Sequence, residues 1–138
     1  MAKILAGDLL KKAVEEGRII QNGDVSNCGA IKYDFTLSDE FLKADYGVPT
    51  KISELEPEKR ASVIIAPNEV VYVLSKETVC MPKNMFMHLS ANRGMSEYGV
   101  LTLGGFAVDP GYNGRLMFGL YNYSSTPFKL IPGKKLVG

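Results

Sequence analysis

The chain has 138 residues, the size of one domain, and its 46% hydrophobic content is enough to bury a sizeable core. Its 16 basic and 15 acidic residues nearly cancel to a net charge of +1, so we expect no nucleic-acid partner. With only 2 cysteines and no long apolar run, the sequence excludes a disulfide framework, a zinc ribbon, a membrane span and a signal peptide, and favours a cytoplasmic protein.

The N-terminal segment predicts the one clear helix, over residues 7–17. Leu10 and Val14 are spaced for one helical face, Asp8 suits the first turn and Gly17 suits the C-terminal end. Further along the chain, the capping-box spacing of residues 53–56 is followed at once by a proline, which limits any helix there to a turn or two.

Strand patterns dominate the rest of the chain. Residues 31–37 alternate between apolar and polar, which predicts a strand with Lys32, Asp34 and Thr36 on its polar face. From residue 62 onward, short apolar runs are bounded by Gly, Pro, Asn and Ser, and the predicted strands cover 62–66, 70–74, 79–81, 85–89, 100–103, 115–121, 128–131 and 136–138. Many short strands at close spacing predict a sandwich or jelly roll.

The chain shows neither an internal repeat nor a linker, so we predict a single domain over residues 1–138. Because the sequence stops inside a predicted strand, we expect the native protein to continue beyond it.

Several common active sites are excluded by the residues present. The only histidine, His88, lies in an apolar alternation, where we expect it to face solvent or a neighbouring subunit. Zinc-dependent deamination lacks its His-x-Glu and Pro-Cys-x-x-Cys ligands, and no P-loop is present. Met81, Met85 and Met87 are interpreted as core or subunit-interface residues.

Asp109 is the best-placed acid, because it lies between an apolar run and a Pro-Gly turn that fixes its direction. One interpretation is that it only opens the turn through an Asx-type hydrogen bond. The other is metal-assisted hydrolysis, in which Asp109 activates water, Arg93 meets an anionic group and Tyr112 packs on a sugar or base. The local pattern leaves both open.

Longer motifs then resemble the dCTP deaminase and trimeric dUTPase superfamily. They are Ile31-Lys-Tyr-Asp-Phe-Thr-Leu, Val79-Cys-Met-Pro, Val108-Asp-Pro-Gly-Tyr-Asn-Gly with the later Leu120-Tyr-Asn, and Pro127-Phe-Lys-Leu-Ile-Pro-Gly. The resemblance implies a mainly β fold, a distorted jelly roll (the dUTPase-like β-clip) with one short N-terminal helix. It also implies a homotrimer with sites at subunit interfaces, and a deoxynucleoside triphosphate bound together with Mg²⁺.

Two departures from the family pattern bear on activity. Gly119 stands where the deaminase pattern carries its proton-shuttling glutamate, and glycine has no group that can move a proton. The family's Arg-Ser-Ser-Leu-Ala-Arg falls, without gaps, on Asn92-Arg-Gly-Met-Ser-Glu97, which places Glu97 where an arginine would bind phosphate. A shifted register would match Ser90–Arg93 to Ser-x-x-Arg, but it breaks the spacing to Gly99.

From the resemblance we therefore expect a dUTP diphosphatase-like hydrolase. Asp109 matches the residue that activates water, and the expected substrate contacts are Arg93, Ser96, Gly105 and Tyr112. Asp34 matches an aspartate that is either structural or in a water-mediated metal shell. The alternatives are a catalytically silent trimeric nucleotide-binding or regulatory module and, last, a dCTP deaminase with relocated groups.

Overall fold

Short antiparallel strands make up most of the regular structure in the computed structural model, which describes residues 3–43, 50–57 and 63–138. The helices are α1 (Gly7–Glu15) and α2 (Arg93–Glu97), and 3₁₀ turns cover Val25–Asn27 and Ile52–Glu54. The strands are β1 (Ile19–Gln21), β2 (Phe35–Leu42), β3 (Thr50–Lys51), β4 (Ile64–Ile65), β5 (Val70–Cys80), β6 (Met87–His88), β7 (Val100–Leu103), β8 (Ala107–Val108), β9 (Asn113–Asn122), β10 (Phe128–Lys129) and β11 (Lys135–Val137).

The strands form one large sheet and two small ribbons. The 7-stranded sheet has the order β11-β2-β5-β9-β7, with β1 added on β5 and β3 on β2, and every pairing is antiparallel. The ribbons are β4 with β10 and β6 with β8. The predicted fold class, a mainly β jelly roll with a short N-terminal helix, is confirmed.

Helix α1 lies where it was predicted and ends at Glu15, slightly before the predicted limit. Its buried residues Leu10, Ala13 and Val14 lie on one face, as the spacing required. The chain leaves the helix through Gly17, whose φ of +67° is a left-handed conformation that favours glycine.

The centre of the sheet is the pairing of β5 with β9. The two strands predicted at 70–74 and 79–81 are one strand, and a register shift between Leu74 and Thr78 marks an irregularity that the sequence interpretation took for a break. Ser75 stabilises the irregularity, because its hydroxyl donates to the Glu77 carbonyl and accepts the Leu116 N–H at 2.9 Å.

The strand predicted at 31–37 was placed too early. It begins at Phe35 and continues to Leu42, so Asp34 lies just before it. Thr36 was wrong as a polar-face residue: it is buried, because its hydroxyl and its N–H both bond to the carboxylate of Glu77. Helix α2 and strand β8 were not predicted, and residue 62 of the predicted strand 62–66 lies outside the described residues.

The three methionines of the predicted core or interface belong to the core: Met81 is buried, and Met85 and Met87 pack against it half-buried. No helix in the described parts of the chain has the length and apolar character needed to cross a bilayer.

Candidate functional site

The Asp-Pro-Gly turn is held by backbone hydrogen bonds at the end of β5. The Asp109 carbonyl accepts the Tyr112 N–H at 3.2 Å, which closes the turn. Met81 holds the C-terminal side of the turn: its N–H donates to the Tyr112 carbonyl at 2.8 Å and its carbonyl accepts the Gly111 N–H at 3.1 Å. On the other side of Asp109, Val108 pairs with Met87 in the β6–β8 ribbon, so the main chain fixes Asp109 on both flanks.

The carboxylate of Asp109 takes no part in closing this turn. Asp109 is exposed, and among the described contacts its side chain makes neither a hydrogen bond nor an ion pair. The Asx-type hydrogen bond considered from the sequence is absent from these contacts. A rigidly placed carboxylate with both oxygens unengaged is available to accept a proton or a hydrogen bond from a ligand.

A pocket of about 300 Å³ opens beside this carboxylate. It brings together three of the residues predicted for the site, Gly105, Asp109 and Tyr112. The Tyr112 ring is fixed there, because its hydroxyl donates to the Arg115 carbonyl, while the side chain stays 39% exposed. At Gly105 an added Cβ would meet nothing within 4 Å, so the main chain borders open space.

The remaining walls of the pocket were missed by the sequence interpretation. They are apolar: Leu89, Ala107, Val108, Leu116, Met117 and Phe118. The alternation of β9 predicted a strand there, but which face of it meets the Asp-Pro-Gly turn depends on the β5–β9 register, which a local pattern does not contain. None of the described lining residues is a lysine or an arginine.

Two further predicted substrate contacts lie on helix α2, outside the described lining of this pocket. The Arg93 side chain is 91% exposed, and its Nε pairs with Glu97 Oε1 at 2.9 Å across one helical turn. Ser96 is also exposed, and its carbonyl accepts the Gly99 N–H. In a single chain these two residues and Asp109 do not share one pocket, and their roles stay predictions.

Asp34 occupies a different place again, between two lysines. Its Oδ2 lies 3.0 Å from Lys135 Nζ and its Oδ1 lies 3.1 Å from Lys32 Nζ, the latter as an ion pair without hydrogen-bond geometry. Burial raises the pKa of Asp34, but the close contacts and charges of Lys135 and Lys32 outweigh burial and hold that pKa below its usual value.

This environment bears on the expected metal. Both Asp34 oxygens already face ammonium groups, and the described residues contain no cluster of three or more His, Cys, Asp or Glu side chains that would hold a metal ion. The two ion pairs suit a structural role for Asp34, and its place in a water-mediated metal shell stays a prediction.

Gly119 is buried in β9, where it pairs with Tyr72 of β5 on one side and Leu103 of β7 on the other. An added Cβ would lie 3.4 Å from both of these side chains, an ordinary contact distance. The position faces the outer surface of the sheet rather than the pocket beside Asp109, and glycine places no side chain there that could transfer a proton.

These features define a class: an antiparallel β protein with a rigid, apolar-walled pocket that presents one free carboxylate. Comparison with known proteins identifies the family. The family model for dCTP deaminase-like proteins matches residues 4–137, and the chain belongs to this family.

Among curated relatives, a dCTP deaminase of Pyrococcus horikoshii is 34% identical over 60% of this chain and 53% of its own length. The dUMP-forming dCTP deaminase of Methanobrevibacter smithii is 27% identical over 96% of this chain and 76% of its own length. The crystal structure of 2'-deoxycytidine 5'-triphosphate deaminase from Agrobacterium tumefaciens matches 97% of this chain and 46% of that one, with a TM-score of 0.74 and 13% identity, and thus shares the fold. The chain spans about half the length of the Pyrococcus relative and of the crystallised deaminase.

Proposed function

We propose that the protein hydrolyses a deoxynucleoside triphosphate to the monophosphate and pyrophosphate, with dUTP as the expected substrate. The observation that carries the proposal is the free Asp109 carboxylate beside Tyr112 and Gly105 on one pocket wall. The curated relatives are named for reactions of dCTP, and the dUMP-forming ones yield dUMP. A triphosphate is therefore a reasonable substrate class for this chain.

In the proposed reaction Asp109 accepts a proton from a water molecule while the water oxygen attacks the α-phosphorus. The bond from that phosphorus to the bridging oxygen of the β-phosphate breaks, and pyrophosphate leaves with the bond's electron pair. Tyr112, whose hydroxyl is tied to the main chain, offers the face of its ring to the deoxyribose. Gly105 leaves its side of the pocket open for the ligand.

The absence of a proton-transferring side chain at residue 119 favours hydrolysis over deamination. Removing the pyrimidine amino group needs a residue that moves protons at the ring. On the outer surface around Gly119 the nearest side chains are Leu103, Tyr72 and Val70, none of which is a carboxylate.

Phosphate neutralisation has to come from beyond the single-chain pocket, because its described lining has no cation. We propose that a neighbouring copy in a homotrimer supplies cationic groups, with Arg93 and Ser96 on the exposed helix α2 as candidates. Mg²⁺ would be held by the substrate phosphates, and its charge would offset theirs when bound.

The test is incubation of the complete protein with each common deoxynucleoside triphosphate and magnesium, following pyrophosphate and ammonia separately. We expect pyrophosphate release from dUTP, and Asp109→Asn should lower it by roughly 100-fold or more, the scale of a lost general base. The control is Lys129→Gln, which removes an exposed charge on β10 and should leave the rate unchanged. Intact triphosphates in every reaction would contradict the proposal.

A second candidate, a catalytically silent nucleotide-binding module, is favoured by the position of Arg93, which is paired with Glu97 outside the pocket lining. It predicts calorimetric binding of a triphosphate without turnover in the same screen. Ammonia release from dCTP would instead support deamination. Turnover that depends on Asp109 would eliminate the silent module.

A further inference from the structure

The pocket beside the Asp-Pro-Gly turn extends away from that turn. The turn supplies Asp109 and Tyr112 to the lining. Gly105 and Phe118 come from farther off: Gly105 precedes β8, which leads into the turn, and Phe118 lies within β9, which leads out of it. Because an extended strand advances about 3.3 Å per residue, Phe118 stands well beyond the turn. The Phe118 wall is therefore the end of the pocket that is remote from the carboxylate.

Gly104 packs directly against this wall. A Cβ added at Gly104 would lie 3.3 Å from Phe118 Cδ1 and 3.9 Å from Phe118 Cε1. The shorter distance is tighter than side chains normally keep, so a methyl group there would displace the ring. The φ of Gly104, +142°, is also a backbone conformation that residues with a Cβ rarely adopt. The close approach of the main chain to the Phe118 ring thus depends on glycine.

Packing around the Phe118 ring determines which way it could move. Phe118 is 3% exposed, and its ring stacks on that of Phe106 with centroids 6.2 Å apart and an interplanar angle of 20°. Since protein interiors are close-packed, a displaced ring moves into empty space rather than into its neighbours. Among the described residues, the empty space that Phe118 borders is this pocket. A side chain at Gly104 would therefore push the ring into the pocket and make it shallower.

We infer that Gly104 is a positioning residue of the candidate site: it lets the Phe118 ring lie back, and the depth thus gained receives the base of the nucleotide. The identity of the ligand rests on the proposed function, in which Asp109 activates the water and Tyr112 contacts the deoxyribose. Because the phosphates and the base are attached to opposite sides of the sugar, the base extends away from the turn and toward Phe118. An apolar aromatic wall suits the face of an uncharged heterocyclic ring.

Calorimetric binding of deoxyuridine tests the role of Gly104 without turnover, because this nucleoside has no phosphate to hydrolyse. Gly104→Ala should weaken binding by roughly 5-fold or more, since the ligand must push back the ring that the methyl group has displaced. Gly17→Ala is the matched control and should leave binding unchanged: its φ of +67° is also positive, but an added Cβ would meet nothing within 4 Å. Equal affinities of wild type and folded Gly104→Ala, or a wild type that does not bind deoxyuridine, would overturn the proposal.

A double-mutant cycle shows whether Phe118 transmits the effect. Phe118→Leu keeps the wall apolar but removes the ring, so in that background Gly104→Ala should change the affinity by less than about twofold. A loss as large as in the wild-type background would contradict the role of Phe118. Because Phe118→Leu also shortens the wall, it should by itself shift the binding preference from deoxyuridine toward deoxyadenosine, whose base is larger. An unchanged preference would contradict the wall's contact with the base, whether or not Gly104→Ala folds.

Kinetics separate this role from the proposed hydrolysis. With dUTP, Gly104→Ala should raise KM by a similar factor and leave kcat within about twofold of wild type, since the turn that carries Asp109 is untouched. A merely destabilised protein would instead lose active molecules, so that kcat would fall and KM would stay in place. Deoxyuridine binding that depends on Gly104 in a protein without turnover would support the role of Gly104 and contradict the hydrolase. Turnover with an unchanged KM in Gly104→Ala would contradict the role of Gly104 and leave the hydrolase standing.

Discussion

Glu77 is the most deeply buried acid among the described residues, and it organises the start of β2. Its carboxylate accepts hydrogen bonds from the Tyr33 hydroxyl at 3.0 Å, the Thr36 N–H at 3.0 Å and the Thr36 hydroxyl at 2.7 Å. Burial and the neighbouring Glu77 charge contribute to raising the pKa of Tyr33 to about 12, so the phenol stays a donor at neutral pH. The hydrogen-bonded group of Glu77, Tyr33 and Thr36 is therefore structural rather than catalytic.

Removing the Glu77 carboxylate should make the protein easier to unfold. Glu77→Ala leaves buried donors without an acceptor, and we expect a loss of about 3 kcal/mol or more in the free energy of unfolding, measured by urea denaturation. Glu15→Ala, at an exposed glutamate of α1, is the matched control and should change it by less than about 0.5 kcal/mol. Equal effects of the two substitutions would show that the Glu77 network contributes nothing.

Asp34 should make stability depend on pH in a defined direction. Its pKa is lower in the folded protein, so its contribution is complete above its unfolded pKa of about 3.9 and is lost as the pH falls through the folded value. Asp34→Asn should thus lower the thermal midpoint at pH 7, and the gap to wild type should shrink toward pH 2. A gap that is unchanged at low pH would mean that the two lysines do not stabilise the ionised carboxylate.

Among the secondary-structure elements, β9 and the turn after α2 contain two glycines with opposite requirements. At Gly119 an added Cβ would be in ordinary contact with Tyr72 and Leu103. At Gly99 the φ of +78° is left-handed, and a Cβ would lie 2.6 Å from the Cβ of Ser124. The first glycine is compatible with a side chain, while the second is required by the main chain.

Alanine substitutions should separate these two cases. Gly119→Ala should leave stability unchanged or raise it by roughly 0.5 kcal/mol, because alanine loses less entropy than glycine on entering a strand. Gly99→Ala should cost roughly 2 kcal/mol or more, from the left-handed backbone and the clash with Ser124. Urea denaturation of both variants measures the difference, and a large loss at Gly119 would mean that the sheet cannot admit even a methyl group there.

Local patterns predicted the elements well and their partners poorly. The helix at α1 and the strand at β7 follow from spacing within a few residues, and the Asp-Pro-Gly turn from its own residues. The burial of Thr36 was missed because its hydroxyl bonds to the carboxylate of Glu77, which is 41 residues away in sequence. Gly105, Asp109 and Tyr112 line one pocket, and their roles stay predictions. The apolar walls of that pocket depend on strand pairings that are distant in sequence.

For the whole molecule, the outward side of the central sheet carries rows of exposed apolar side chains. Strand pairing aligns Val70 with Tyr121 and Leu101 in one row, Tyr72 with Gly119 and Leu103 in the next, and Leu74 with Met117 beyond them. Of these side chains Met117 is 62% exposed, and Tyr72, Leu101 and Leu103 are each more than 40% exposed. We call these three rows the outer sheet face, and contiguous apolar surface of this kind marks an interaction site.

A second and third copy of this chain are the proposed cover for the outer sheet face. Met117 lies both on this face and in the wall of the candidate pocket, so a copy packed here would border the site and could bring the cations that the single-chain pocket lacks.

Met117→Glu places a charge at the contact and should reduce the particle from three times the 15.1 kDa chain mass to a monomer in sedimentation equilibrium. It should also abolish pyrophosphate release. Leu9→Glu, at a side chain of α1 that is 65% exposed, should change neither property. A wild-type protein that sediments as a monomer and still turns over substrate would show that the site is complete within one chain.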